Sequence, residues 1–200
     1  MEFSTPAAPA ASRVEVKKSV FLGLVAPVDS VEEADAVLAA VRKQHYSARH
    51  HCTALVLDQL QRSNDDGEPS GSAGAPMLSV LRHRQVNRVF AVVTRYFGGT
   101  LLGVGGLIRA YTQAVAEALD AAVLVRRVPM AEYVATAGLA RAGAFENALR
   151  SWAASNQASV EAEYGASARF AVELPAGLAG EFEAAMAPWA GRGVVVAKAE

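Results

Sequence analysis

The sequence predicts an α+β protein of two domains, and three observations carry that prediction. Apolar residues make up 52% of the 200-residue chain, enough to bury a sizeable core. Between 87 and 123 an apolar run passes through a glycine-rich segment into an amphipathic one, the pattern of a strand, a loop and a helix. From 129 onward the hydrophobic period alternates between two and 3.6 in the order βαββαβ, the split βαβ or ferredoxin-like arrangement. The domains are therefore read as 13–128 and 129–200, preceded by a flexible tail over 1–12.

That tail is rich in Ala, Pro and Ser and lacks a basic flank and an apolar run, so it is read as loose chain rather than a signal peptide. RVEVKKSVFLGLVAPV alternates at Val14, Val16, Val20, Leu22 and Leu24, a strand in two pieces bent at Lys17 and Lys18. DSVEEADAVLAAVRKQH opens a helix. Asp29 or Ser30 accepts from an orphan amide, Val37, Leu38 and Val41 build the stripe, and Arg42 and Lys43 suit the C-terminal dipole.

HHCTALVLD reads as a strand from about 50 to 58. QLQRSNDDGEPSGSAGAPM reads as a long loop, and loops of that length are often functional. PMLSVLRHRQV reads as a short helix, NRVFAVVTRYF as a strand and GLIRAYTQAVAEALDAAV as a helix. In the second domain PMAEYVATA reads as a strand and GLARAGAFENALRSWAAS as a helix. ASVEAEYG and ASARFAVELP are strands about a turn at Gly165, followed by the helix AGLAGEFEAAMAPWA and the strand RGVVVAKAE.

A net charge of −1 argues against nucleic-acid binding through the overall field and leaves only a local patch. Residues 1–130 carry a small positive excess and 131–200 a negative one, which places any anion site in the first part. Cys52 is the single cysteine, which excludes an internal disulfide and a four-cysteine zinc site and fits a reducing, cytoplasmic setting. No apolar run approaches the roughly 18 to 20 residues that span a bilayer, so no membrane is expected.

Three stretches carry chemistry. In VTRYFGGTLLGVGGLIRAY, a strand leads through Gly98, Gly99, Gly103, Gly105 and Gly106 to a helix N-terminus, which presents amides to an anion. It is not a P-loop, because Val104 stands where the lysine belongs, nor a dinucleotide fingerprint, because Ile108 replaces the third glycine. Arg95 and Arg109 flank the loop and suit a phosphate or carboxylate. The other reading is a tight turn that packs the helix on the sheet, with Arg109 on a solvated face.

In SNDDGEPSGSAGAPM, Asp65, Asp66 and Glu68 suit a hard cation or acid–base work, although Asp66-Gly67 and Glu68-Pro69 are equally an ordinary turn. In HYSARHHC, the residues His45, His50, His51 and Cys52 are of zinc-binding type. In an extended strand His50 and Cys52 share one face and His51 takes the other, so only two of the three converge. A buried Cys52 among hydrogen-bonded histidines is the other reading. No third orienting group accompanies Cys52, and no serine stands in a nucleophile elbow.

ARHHC, DDGEPSGSAGAPM and TRYFGGTLLGVGGLIRAY, in this order and spacing, resemble the YigZ/IMPACT family, and 131–200 resembles the small C-terminal domain of its bacterial members. The resemblance implies a first domain of the ribosomal protein S5 domain 2 type, shared with the fourth domain of the translocating elongation factor. It implies a ferredoxin-like second domain similar to that factor's last one. It also implies a link to translation and stress: eukaryotic IMPACT proteins bind the activator of a stress-responsive initiation-factor kinase and restrain it. Bacteria lack that pathway, and the module those proteins use is not matched in these residues, so their partner is not carried over. The motif positions are Arg49, His50, His51, Asp65, Asp66, Gly67, Glu68, Pro69, Gly71, Gly74, Pro76, Arg95, Tyr96, Gly98, Gly99, Gly103, Gly105, Gly106, Arg109 and Tyr111. The resemblance implies a catalytic role for none of them.

The expected function is therefore a non-enzymatic regulator, monomeric and without metal or cofactor. It would bind RNA or a ribosome-associated protein through the glycine loop, Arg95, Tyr96, Arg109 and the cluster Arg49, His50 and His51. A second reading is a small hydrolase or metal-dependent enzyme using Asp65, Asp66 and Glu68 with His50 and His51. In a third, the loops are structural and the second domain is a protein-interaction surface.

Overall fold

A computed structural model describes residues 2–199, which divide into two units, Phe3–Arg127 and the residues from Val128 onward. The first unit runs β1 (Phe3–Pro6), β2 (Ala10–Val16), β3 (Ser19–Pro27), α1 (Val31–Gln44), β4 (His50–Leu57), β5 (Leu60–Asn64), α2 (Gly74–His83), β6 (Val89–Tyr96), α3 (Val104–Ala121) and β7 (Leu124–Arg127). Its main sheet has the order β2-β3-β6-β4-β5, antiparallel throughout.

Local chemistry explains the joints. Lys17 and Lys18 both take positive φ, 47° and 68°, the geometry of a two-residue hairpin turn that matches strand twist. Ser30 Oγ accepts from the Glu33 amide at 3.1 Å, and the Glu33 carboxylate accepts from the Asp29 amide at 2.8 Å, a reciprocal cap on α1.

Strand β6 shows why the sequence reads as one apolar run. Val89, Ala91 and Val93 enter the larger core with Met77 and Leu81 of α2 and Tyr111 and Ala114 of α3. Phe90 and Val92 face the other way, against Ala34 and Val41 of α1. Both faces are covered, so no polar alternation survives.

Two expectations are corrected. Within the expected tail over 1–12, the described residues are not loose: β1 pairs antiparallel with β7, from Phe3↔Arg127 to Pro6↔Leu124, and β2 begins at Ala10. Thr5 is buried and its hydroxyl donates to the Arg88 carbonyl at 3.1 Å. Backbone pairing holds this segment, and a small polar composition does not advertise that. Likewise the long loop after 58 begins with β5, which pairs with β4 from Leu57↔Leu60 to Thr53↔Asn64. Its side chains are largely exposed, so it lacks an apolar period.

The second unit runs β8 (Met130–Ala137), α4 (Leu139–Ser155), β9 (Ser159–Tyr164), β10 (Ala168–Pro175), α5 (Ala179–Ala190) and β11 (Val194–Lys198). Its antiparallel sheet has the order β11-β8-β10-β9. Phe145, Leu149, Phe170, Leu174 and Phe182 build a core of its own.

One glycine fixes how β6 leaves the sheet. The Gly98 amide donates to Ser19 Oγ at 3.0 Å, and a Cβ at Gly98 would overlap the Lys18 and Ser19 backbone. Gly105, in the first turn of α3, has open space around it. Gly98→Ala is expected to cost about 3 kcal/mol by overpacking, whereas Gly105→Ala is expected to stabilise by about 0.4 to 1 kcal/mol. Urea unfolding of the two variants checks the contrast.

Candidate functional site

The site is built where β4 enters the sheet and β6 leaves it. Their register pairs His50 with Arg95, His51 with Thr94 and Cys52 with Val93. The strand period sends His50, Cys52 and Arg95 toward α2 and α3, and His51 and Tyr96 toward α1. His50, His51 and Cys52 therefore do not converge. On the α1 side His45 Nδ1 and the Tyr96 hydroxyl are hydrogen-bonded at 3.1 Å.

The loop between β5 and α2 reverses the chain at Asp66 and Gly67, which have φ values of +43° and +85°. Each carboxylate in it holds a different part of the fold. Asp65 accepts from the amides of Gly71 at 2.8 Å, Ala73 at 3.0 Å and Gly74 at 2.8 Å, closing the N-terminus of α2 from outside the helix. Burial opposes its charge, but the amides of Gly71, Gly74 and Ala73 outweigh it and hold the carboxyl below the usual range. Gly74 is required by closeness, since a Cβ there would meet the Asn64 backbone at 2.7 Å.

Asp66 accepts from the His51 amide at 2.7 Å and from Arg42 at 3.0 Å, while its carbonyl accepts from His50 Nδ1–H at 2.9 Å. Glu68 is buried. Arg95 Nη1 donates to its two oxygens at 2.7 and 2.9 Å, and the Tyr111 hydroxyl donates to Oε1 at 2.7 Å. The side chains of Arg95 and Glu68 are only 7% and 3% exposed. Arg95 also lies 5.6 Å from the ring centroids of both Phe21 and Phe97, at cation–π distance.

Beneath this pair the Cys52 thiol donates to the Asp65 carbonyl at 3.0 Å, and burial pushes it up to about 12, so it stays protonated. Burial, with Cys52 and Glu68 adjoining, also raises the Tyr111 hydroxyl far above its usual range. Burial lowers His51 below 6.5, against the pull of Asp66. Among the described residues no three His, Cys, Asp or Glu side chains converge on a point that suits a metal ion.

Outside this network lies a cleft of about 480 Å³ bounded by residues 47–50, residues 95–97 and Leu101. It brings together Arg49, His50, Arg95 and Tyr96 from the expected set. His51, Asp65, Asp66, Gly67, Glu68, Pro69, Gly71 and Gly74 do not line it, and neither do the glycines of the 98–106 loop or Arg109. In that loop Gly99 and Gly103 have φ of +85° and +72°, conformations that favour glycine. Arg109 is exposed on α3.

The sequence reading passed over Phe97 and Leu101, which are 57% and 84% exposed. Large apolar residues inside a glycine loop, outside any burying period, were the signal available for them. It also passed over Lys17 and Lys18 as charges. Their hairpin lies at the same sheet end, because β3 pairs Val20 with Tyr96 and Gly98 abuts Lys18. Among the described residues Lys17, Lys18, Arg49 and Arg109 have no acidic partner, whereas all three loop carboxylates are engaged by the chain.

Asp65→Ala is expected to cost about 2 kcal/mol at neutral pH. A depressed carboxyl stabilises the fold above its unfolded value of about 4 and loses that contribution as pH falls through the native value. The variant should therefore lose less stability in acid than the native chain. His51 works from the other side of neutrality: the unfolded histidine takes up a proton first as pH drops below 6.5, so stability falls there, and His51→Gln should flatten that slope. Urea midpoints between pH 3 and 8 measure both.

Residues 17–119 match the family model of the Impact N-terminal domain. The Escherichia coli IMPACT family member YigZ is 40% identical over 187 residues, 91% of this chain and 90% of its own length. The Bacillus subtilis IMPACT family member YvyE is 44% identical over 140 residues, 68% of this chain and 64% of its own length. Among solved structures, the crystal structure of a hypothetical protein superposes with a TM-score of 0.70 at 36% identity, covering 100% of this chain and 98% of the other. The matched domain contains the main sheet from β3 to β6, the carboxylate loop and the glycine loop, and the likeness to YigZ extends into the second unit: the chain belongs to the IMPACT family.

Proposed function

We propose that this protein is a translation-linked regulator that acts by binding RNA, through the end of the first unit's sheet, rather than by catalysis. The link to translation is what the family resemblance implies. The carrying observation is electrostatic. At the sheet end where β4 starts and β6 stops, Asp65, Asp66 and Glu68 are committed to amides, Arg42, Arg95 and Tyr111, while Lys17, Lys18 and Arg49 face solvent without carboxylates, as does Arg109 on α3. A chain of net charge −1 thereby presents a local cationic surface, which suits phosphates.

The same bonds weigh against an enzyme built on that loop, because each carboxylate would have to release a structural partner before taking a cation or a proton. In this reading the first unit is of the S5 domain 2 type. The second is ferredoxin-like, a reading supported by its βαββαβ order and antiparallel sheet. No helix among the described residues is long and apolar enough to cross a membrane.

Fluorescence anisotropy with a short labelled single-stranded RNA at about 50 and 200 mM salt tests the proposal. The native chain should bind weakly, with affinity falling as salt rises. A Lys17→Glu/Lys18→Glu/Arg49→Ala/Arg109→Ala variant, cations that pair with nothing, should fold normally and lose both the binding and its salt dependence. Equal binding by the variant, or none by the native chain at low salt, would contradict it.

A further inference from the structure

The cleft beside the cationic surface has a chemistry that phosphate binding alone does not use. Phe97 and Leu101 form apolar walls open to solvent. Phe97 is already oriented, since the Arg95 guanidinium lies 5.6 Å from its ring centroid. Arg95, which also lines the cleft, is buried, and its Nε has no hydrogen-bond partner among the described residues, although Nη1 is taken by Glu68. A buried donor without an acceptor is costly, so this N–H is a standing demand for an oxygen or nitrogen acceptor. Arg49 adds an exposed cation, and no Asp or Glu lines the cleft. Its volume of about 480 Å³ falls in the range of small-molecule sites.

A ligand that fits must combine an anionic group, a flat apolar face and a hydrogen-bond acceptor. Building on the RNA reading above, we propose that the cleft holds one unpaired nucleotide of the bound strand, with its base on Phe97 and Leu101 and its phosphate on Arg49. The base, or the sugar-phosphate oxygens beside it, supplies the acceptor for Arg95 Nε. Every base has a π-face and an acceptor, so the cleft reads strandedness and not sequence. In a duplex the base faces are covered by stacking, and only base edges, sugars and phosphates reach the surface. The cationic residues then bind either form, and the cleft prefers the single strand.

The test compares a labelled ten-nucleotide RNA with the same sequence annealed into a duplex and with an abasic strand of equal length, each at about 50 and 200 mM salt. The proteins are the native chain, Phe97→Ala and Phe97→Trp. Phe97 is over half exposed, so both variants should fold. The native chain should favour the single strand by about tenfold over duplex and abasic strand, within the worth of one stacked base. Phe97→Ala should erase that preference with an unchanged salt slope, and Phe97→Trp should restore it.

Salt-dependent binding that ignores strandedness and both Phe97 variants would overturn the cleft assignment and leave the RNA reading standing. No binding of any RNA by the native chain would overturn both.

Discussion

The buried pairing of Glu68 with Arg95 is the constraint on which the rest of the first unit depends. Two opposite charges that are 3% and 7% exposed stay inside only while each has the other, and the Tyr111 hydroxyl fills part of the remaining acceptor capacity. Glu68 comes from the loop, Arg95 from the end of β6 and Tyr111 from α3, so one cluster ties together three elements distant in sequence. Replacing such a pair by apolar residues often costs little, so its contribution is better seen as specification: the loop has one place to go. Asp65 and Asp66 then fasten its two ends, one to the amides that open α2 and the other to β4 and Arg42.

This arrangement has an electrostatic consequence at the surface. A loop dense in carboxylates would be expected to make its neighbourhood acidic, yet each of these charges is compensated by amides or cations of the chain, and Glu68 is buried. What remains outside is cationic, with Phe97 and Leu101 among the cations. The glycine loop contributes shape more than charge. Gly98 lets β6 press against the Lys18 backbone, and Gly99 and Gly103 supply the positive φ that carries the chain to α3.

Much of this was legible in the sequence wherever side-chain burial imposed a period. Strand β6, helix α3 and the whole βαββαβ order of the second unit follow from that signal, as does the separation of His51 from His50 and Cys52. Strands β1, β5 and β7 were not legible: backbone hydrogen bonds at sheet edges hold them, the side chains of β5 and β7 are mostly solvated, and β1 is four residues with small polar Ser4 and Thr5 at its centre. The motif residues were found, but not their directions. Arg95 and Arg109 flank the glycine loop symmetrically in sequence, while in the fold one is paired with Glu68 and the other faces water. That difference depends on contacts 27 and 43 residues apart, between Glu68 and its two partners, which no local pattern encodes.

The most direct measurement of the central dependence is a double-mutant cycle in urea unfolding with Glu68→Leu, Arg95→Met and the combination. Each single change strands a buried partner and is predicted to cost about 3 to 5 kcal/mol, while the double variant recovers several kcal/mol relative to their sum. Additivity within about 0.5 kcal/mol would show that Glu68 and Arg95 stabilise the fold independently, and would contradict the account.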